Sequence, residues 1–80
     1  MATVYLPSGL RQFADGAESV VVDAPRIHEL LTLLAERYPA MRESLEETAV
    51  AIDGVVYQQP GYQPLRPDSE VHLVPRIAGG

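Results

Sequence analysis

Three patterns in this sequence predict an α+β fold: a mixed sheet with one main helix packed on one face, in the order β-β-α-β-β-β. Two β-branched segments lie near the N-terminus with a turn signal between them. An apolar stripe at helical spacing follows. Three further short apolar segments then come, divided by an Asp-Gly pair and a proline-rich stretch. The chain has 80 residues, the length of a single domain. A domain of this size buries only roughly 60% of the surface its unfolded chain exposes, so a deep pocket is not expected. Its working parts should lie at its surface or its ends.

Thr3-Val4-Tyr5-Leu6 is short, β-branched and aromatic, and Pro7-Ser8-Gly9 stops it, so it reads as the first strand. Leu10 to Phe13 either continues that strand or forms a loop. Asp15-Gly16 has turn chemistry, and Ser19-Val20-Val21-Val22 is the clearest strand in the chain. Asp23 and Pro25 announce a helix, as a capping-type residue and a first-turn proline. Ile27, Leu30, Leu31, Leu34 and Tyr38 fall on one helical face, and Pro39 ends it. Met41 to Glu47 fits one more short turn. Ala49-Val50-Ala51-Ile52 and Val55-Val56-Tyr57 form a hairpin around Asp53-Gly54. Gln58 to Pro67, with its prolines and glycine, is a loop. Glu70 to Val74 is the last strand. The crossover helix should bring the first and last strands side by side and parallel.

The formal net charge is −5, from 11 acidic and 6 basic residues, which argues against nucleic acid as a partner. The surplus suits a solvated surface or one that meets basic partner proteins. No apolar run approaches the length of a membrane span. The N-terminal MATVYLPSG has no basic segment leading into an apolar stretch, so no signal peptide is expected and the cytoplasm is the expected location. Cysteine is absent, which excludes disulfides and thiolate metal sites. All six basic residues are arginine, so the only primary amine is the N-terminus.

His28 and His72 have no ligand or acid partner at useful spacing and read as exposed polar residues. Glu43, Glu46 and Glu47 read as a solvated acidic face. No glycine-rich loop precedes the helix, so no nucleotide site is expected. No catalytic set of residues emerges, and no enzyme activity, bound cofactor or metal is expected. The C-terminus is what stands out. Two consecutive terminal glycines would occur by chance in roughly 0.5% of chains at ordinary glycine usage, which makes Gly79-Gly80 worth explaining. They carry no side chain, and the tail that they end follows directly on the last strand. Such an end can thread a narrow channel and present a free carboxylate.

Across nearly its whole length the sequence resembles the MoaD/ThiS family of sulfur carriers. The resemblance rests on ELLTLLAERYP (Glu29 to Pro39), AVAIDG (Ala49 to Gly54), PLRPDSEVHLVP (Pro64 to Pro75) and the terminal IAGG. It implies a ubiquitin-like β-grasp domain over residues 1–75 and an extended, flexible tail over 76–80. It implies that Gly80 is adenylated with ATP by a partner resembling the ubiquitin-activating enzymes and then becomes a thiocarboxylate that donates sulfur. Gly79, Ala78, Ile77 and Arg76 would be the threading segment. The leading pathway is molybdopterin synthesis, with this chain as synthase small subunit and the large subunit, or another sulfur-accepting synthase, as second partner. Carriers for thiamin, cysteine or a specialised thio-metabolite, and a protein modifier joined to lysines, are the alternatives. Many molybdopterin-type members have two prolines before the tail; here Arg76 takes the second place. A docking patch is expected on the helix-free sheet face, with Phe13, Val56 and Leu73 as candidates.

Overall fold

The computed structural model describes residues 1–58, 61 and 63–75. Strand β1 (Ala2–Tyr5) pairs antiparallel with β2 (Ser19–Val22), Val4 opposite Val20. Helix α2 (Ile27–Arg37) crosses over, and β3 (Thr48–Ile52) and β4 (Val55–Tyr57) form a hairpin. Strand β5 (Glu70–Pro75) enters between β1 and β3, parallel to the first and antiparallel to the second. The sheet order is β2-β1-β5-β3-β4, so the first and last strands are neighbours, as the crossover requires. The order of strands and main helix is the expected one.

Alternation sorts the strand residues into two faces. Ala2, Val4, Val22, Val50, Ile52, Val71 and Leu73 are buried in one core with Ile27, Leu30 and Leu34 of α2. Full burial of a leucine or valine contributes about 1.5–3 kcal/mol, so this layer is the main source of stability. Leu31 and Tyr38, the other members of the helical stripe, are half-buried and pack against its rim. Leu10 to Phe13 is neither strand nor loop. Ser8–Arg11 forms a short helix, α1, continued by a 3-10 turn over Gln12–Ala14. The turn lets Leu10 and Ala14 both be buried against the core. After a second 3-10 turn, Arg42–Glu46 forms α3, with Met41 and Leu45 adding to the core.

Helix α2 starts later than Asp23 and Pro25 led one to expect, and no side chain caps it. Arg26 is extended, φ −141° and ψ 161°, and bridges to Pro64. The Gln63 carbonyl accepts the Ile27 N–H at 3.0 Å, and the Pro25 carbonyl accepts the Leu65 N–H at 2.8 Å. A backbone ladder from the proline-rich loop thus occupies the place of the cap. At the other edge of the sheet-and-helix layer, Arg37 Nη1 donates to the Val21 carbonyl at 3.3 Å.

The Asp53-Gly54 turn has φ of 48° and 89°, both positive, as a type I′ hairpin requires. Asp53 does more than turn the chain. Its Oδ1 accepts the Glu70 N–H at 2.9 Å, its own N–H donates to the Glu70 carbonyl at 2.9 Å, and Arg66 Nη2 reaches Oδ2 at 3.3 Å. The β3–β4 hairpin is thereby tied to the start of β5. The Glu70 amide above all, then Ser69 and Arg66, hold the Asp53 carboxyl below its ordinary value of 3.8, against an opposing desolvation effect. A lowered carboxyl stabilises the fold at pH values above the unfolded-state value, and that contribution fades as pH falls through the folded one. Asp53→Asn keeps a residue that tolerates the left-handed turn and removes the charge. Its urea midpoint is expected to lie below the parent's at neutral pH, and the gap is expected to narrow as pH falls through the lowered folded-state value of the Asp53 carboxyl. A gap that persists at acid pH would show that geometry, not charge, holds this clamp.

Candidate functional site

Among the described residues, no helix lies over the face of the sheet away from α2. Register places one row of residues across all five strands: Ser19 opposite Tyr5, Tyr5 opposite His72, His72 opposite Ala51, and Ala51 opposite Val56. A second row sets Val74 against Ala49. Small alanines in β3 make the middle of the face low, and the larger side chains stand around it. Val56 is 55% exposed, Val21 49% and Val74 38%, so the face carries accessible apolar surface. At its centre the Tyr5 and His72 rings stack, with centroids 4.5 Å apart and planes 12° apart. His72 Nε2 lies 3.9 Å from Glu70 Oε1 on the same face.

Strand β5 carries His72 and Val74 and ends at Pro75, the last described residue, opposite Thr48. Two depressions flank this end. One, of about 210 Å³, is lined by Pro7, Gly9, Leu10, Glu47, Thr48 and Pro75 among others. The other, of about 340 Å³, opens beside Tyr5 and His72 and is bordered by Arg11 and Glu18. Arg11 is held in place by its Nε, which donates to the Leu6 carbonyl at 3.1 Å.

The expected docking residues separate on this structure. Val56 lies on the open face and is accessible. Leu73 does not: it is 4% exposed and belongs to the core beneath α2, so it is withdrawn as a docking residue. The cause is parity, because the residues of β5 that face outward are Glu70, His72 and Val74. Phe13 is half-buried, packed on the core from the 3-10 turn. Sequence reasoning missed Tyr5, His72 and Val74 as a group. The signal was available: counting alternate positions along the first and last strands, once set side by side, puts all three on one surface. Arg76, Ile77, Ala78, Gly79 and Gly80, the expected tail, lie outside the described residues. Among the described residues no cluster of acidic and histidine side chains could hold a metal ion, and no helix is long and apolar enough to cross a membrane.

The ThiS family model matches residues 4–80. No curated protein is significantly similar in sequence. Among solved structures, small archaeal modifier protein 1 from Methanosarcina acetivorans superposes with a TM-score of 0.84 at 19% identity, over 99% of this chain and 95% of that one. CysO from Amycolatopsis orientalis, in complex with BexX, gives 0.84 at 19% identity over 100% of both chains. The Helicobacter pylori complex of subunits 1 and 2 of molybdopterin-converting factor gives 0.70 at 19% identity, over 99% of this chain and 97% of that one. At such identities the likeness establishes the fold, a ubiquitin-like β-grasp. Two of these relatives were solved bound to a protein partner.

Proposed function

The chain belongs to the ThiS family of ubiquitin-like sulfur carriers, and from that premise we propose that its working group is the Gly80 carboxylate, which is adenylated and then converted to a thiocarboxylate. The observation that carries this reading is the family match running through residue 80, onto the Gly79-Gly80 pair. In the first step a Gly80 carboxylate oxygen bonds to the α-phosphorus of ATP and pyrophosphate leaves. In the second, a hydrosulfide-level sulfur bonds to the acyl carbon and AMP leaves. Splitting the exchange this way replaces one poor leaving group with a good one. ATP and the catalytic groups belong to the activating partner; this chain is the co-substrate. The cytoplasm is the compartment we propose for this exchange.

Gly79, Ala78, Ile77 and Arg76 would cross the partner's channel, where a glycine next to the reacting residue lets the wall close on bare backbone. The open face, with Val56, Tyr5 and Val74 in place of Leu73, would rest on the partner's surface. Phe13, half-buried in its turn, would contribute a smaller rim contact. The sulfur acceptor in this reading is a precursor of molybdopterin, delivered through a synthase large subunit. Thiamin, cysteine or another thio-metabolite would require the same tail and a different acceptor protein. The protein-modifier reading shares the adenylate, and one feature bears on it: a chain without lysine offers no side-chain amine for linking copies to one another.

Intact mass tests the chemistry. Incubation with the adenylating enzyme of the same organism, ATP and sulfide is expected to raise the mass by about 16 Da, the exchange of oxygen for sulfur in this two-step activation. Amide-linked products on other proteins, with no gain of that size on the free chain, would support the modifier reading instead. An unchanged mass in the presence of an enzyme that consumes ATP would dismiss both.

A further inference from the structure

We propose that Arg37 keeps copies of this protein apart: its guanidinium closes the free edge of β2, on which a second copy of this chain would otherwise pair strand to strand. The sheet order leaves an outer edge on β2 and on β4. Such edges carry unpaired N–H and C=O groups that template pairing with another chain. On β2 the register says which groups these are. The Leu6 N–H donates to the Glu18 carbonyl at 2.9 Å, so Leu6 and Glu18 form a hydrogen-bonded pair. Antiparallel pairs alternate, so Val4–Val20 and Ala2–Val22 are bonded as well. Ser19 and Val21 therefore turn their backbone groups away from β1, to the free edge. One of these groups is taken: Arg37, the last residue of α2, donates from Nη1 to the Val21 carbonyl at 3.3 Å. Strand β4 is three residues long, and the same alternation counted from the Asp53-Gly54 turn leaves only Val56 facing outward.

A second copy is the occupant that this edge fits, because Ser19-Val20-Val21-Val22 is complementary to itself. It is uncharged and rich in β-branched residues, the composition that pairs most readily. Set two copies antiparallel with Val20 on the two-fold axis. Ser19 of each then stands opposite Val21 of the other, and each such pair exchanges both of its N–H···O bonds. The half-buried Val20 meets its own counterpart on the side of α2, and the exposed Val21 extends the open face. In this arrangement the Val21 carbonyl must accept the Ser19 N–H of the second copy. Arg37 occupies that acceptor and places a charged group in the path of the incoming strand, where it would have to lose water. A different obstacle acts from further away. The net charge of −5, with Glu18 and Asp23 flanking the strand, sets copies against one another, and salt screens that repulsion. A hydrogen bond made at contact is screened far less, so high salt separates the guard from the net charge.

Light scattering on the full chain in high salt, over a series of concentrations, reads the state of association. The parent is expected to have the mass of one chain throughout. Arg37→Ala and Arg37→Met are expected to double in mass toward the upper concentrations. Arg37→Met keeps the aliphatic stem at the end of α2 and removes only the donor and its charge, so it stands if Arg37→Ala folds poorly. Amide hydrogen exchange locates the contact. The Ser19 and Val21 amides, open at the edge of a single copy, should become protected in the paired variants, and the Val56 amide should not change. Val21→Lys added to Arg37→Met returns a charge to the same edge and should restore the single chain. Variants that keep the mass of one chain at every concentration overturn the proposal. So does association that leaves the Ser19 and Val21 amides exchanging as in the parent, or a parent that is already paired through them. None of these outcomes bears on the reading of Gly80, which does not enter the argument.

Discussion

A chain shortened by Gly79 and Gly80 is expected to melt where the full chain melts and to be wholly inert toward ATP and the adenylating enzyme. Both halves follow from where the sheet stops. Among the described residues the last rung of β5 is Pro75 opposite Thr48, and the buried core lies between Ala2 and Leu73. Residues past the final rung add few buried contacts. The loss of reaction is total because no other group in the chain can take the place of the Gly80 carboxylate. Side-chain carboxylates are numerous, but none ends an arm that a channel fitted to bare backbone would admit. Differential scanning calorimetry and release of pyrophosphate measure the two halves separately. A melting temperature lower by many degrees would mean that the terminal glycines pack on the domain, and residual pyrophosphate release would move the reacting carboxylate elsewhere.

Leu34→Ala is expected to be the most damaging single change to the fold. Leu34 is fully buried beneath the sheet, together with Ile27 and Leu30. Truncating such a leucine costs about 2–5 kcal/mol, the lost transfer energy plus the cavity left behind. An 80-residue domain has only about 4–12 kcal/mol in total. At about 4–8 °C per kcal/mol the melting temperature should fall by about 8 °C or more. Leu33, one position away and 41% exposed, is the control. Leu33→Ala should stay within about 0.5 kcal/mol of the parent. Comparable losses for the two would mean that α2 is rotated relative to the core described here.

The order of elements was legible because each announces itself locally. The stripe from Ile27 to Tyr38 has the helical period, Asp53-Gly54 has the hairpin chemistry, and the valine-rich segments have no helical alternative. What escaped the sequence depends on pairs distant in the chain. The start of α2 is one case: Asp23 looks like a cap, but the carbonyl that receives the Ile27 N–H belongs to Gln63. The helical turn after Pro7 is another, since Leu10 and Ala14 pack into a core built from strands and a helix far along the chain. On the candidate site, Val56 was accessible to reasoning because β4 is an edge strand in a hairpin whose turn is plain from Asp53-Gly54. Leu73 was misplaced because its face is set by the register of β5 between two neighbours, and a slip of one residue exchanges the faces. The Tyr5–His72 stack joins positions 67 apart in the chain (72 less 5) and has no local signature.

The parallel pairing of β1 with β5 bears on how the protein is made. These are the first and last strands, and they sit at the centre of the sheet, so the native arrangement depends on contacts of very high sequence separation. Such topologies fold slowly, since the entropy of closing the chain is lost before the contact is gained. On the ribosome, a nascent chain that lacks residues 70–75 has two hairpins and a helix with no strand between them. The sheet can close only after β5 has emerged. A chain that stopped before residue 70 would therefore lack the strand that joins β1 to β3 and could not close the sheet.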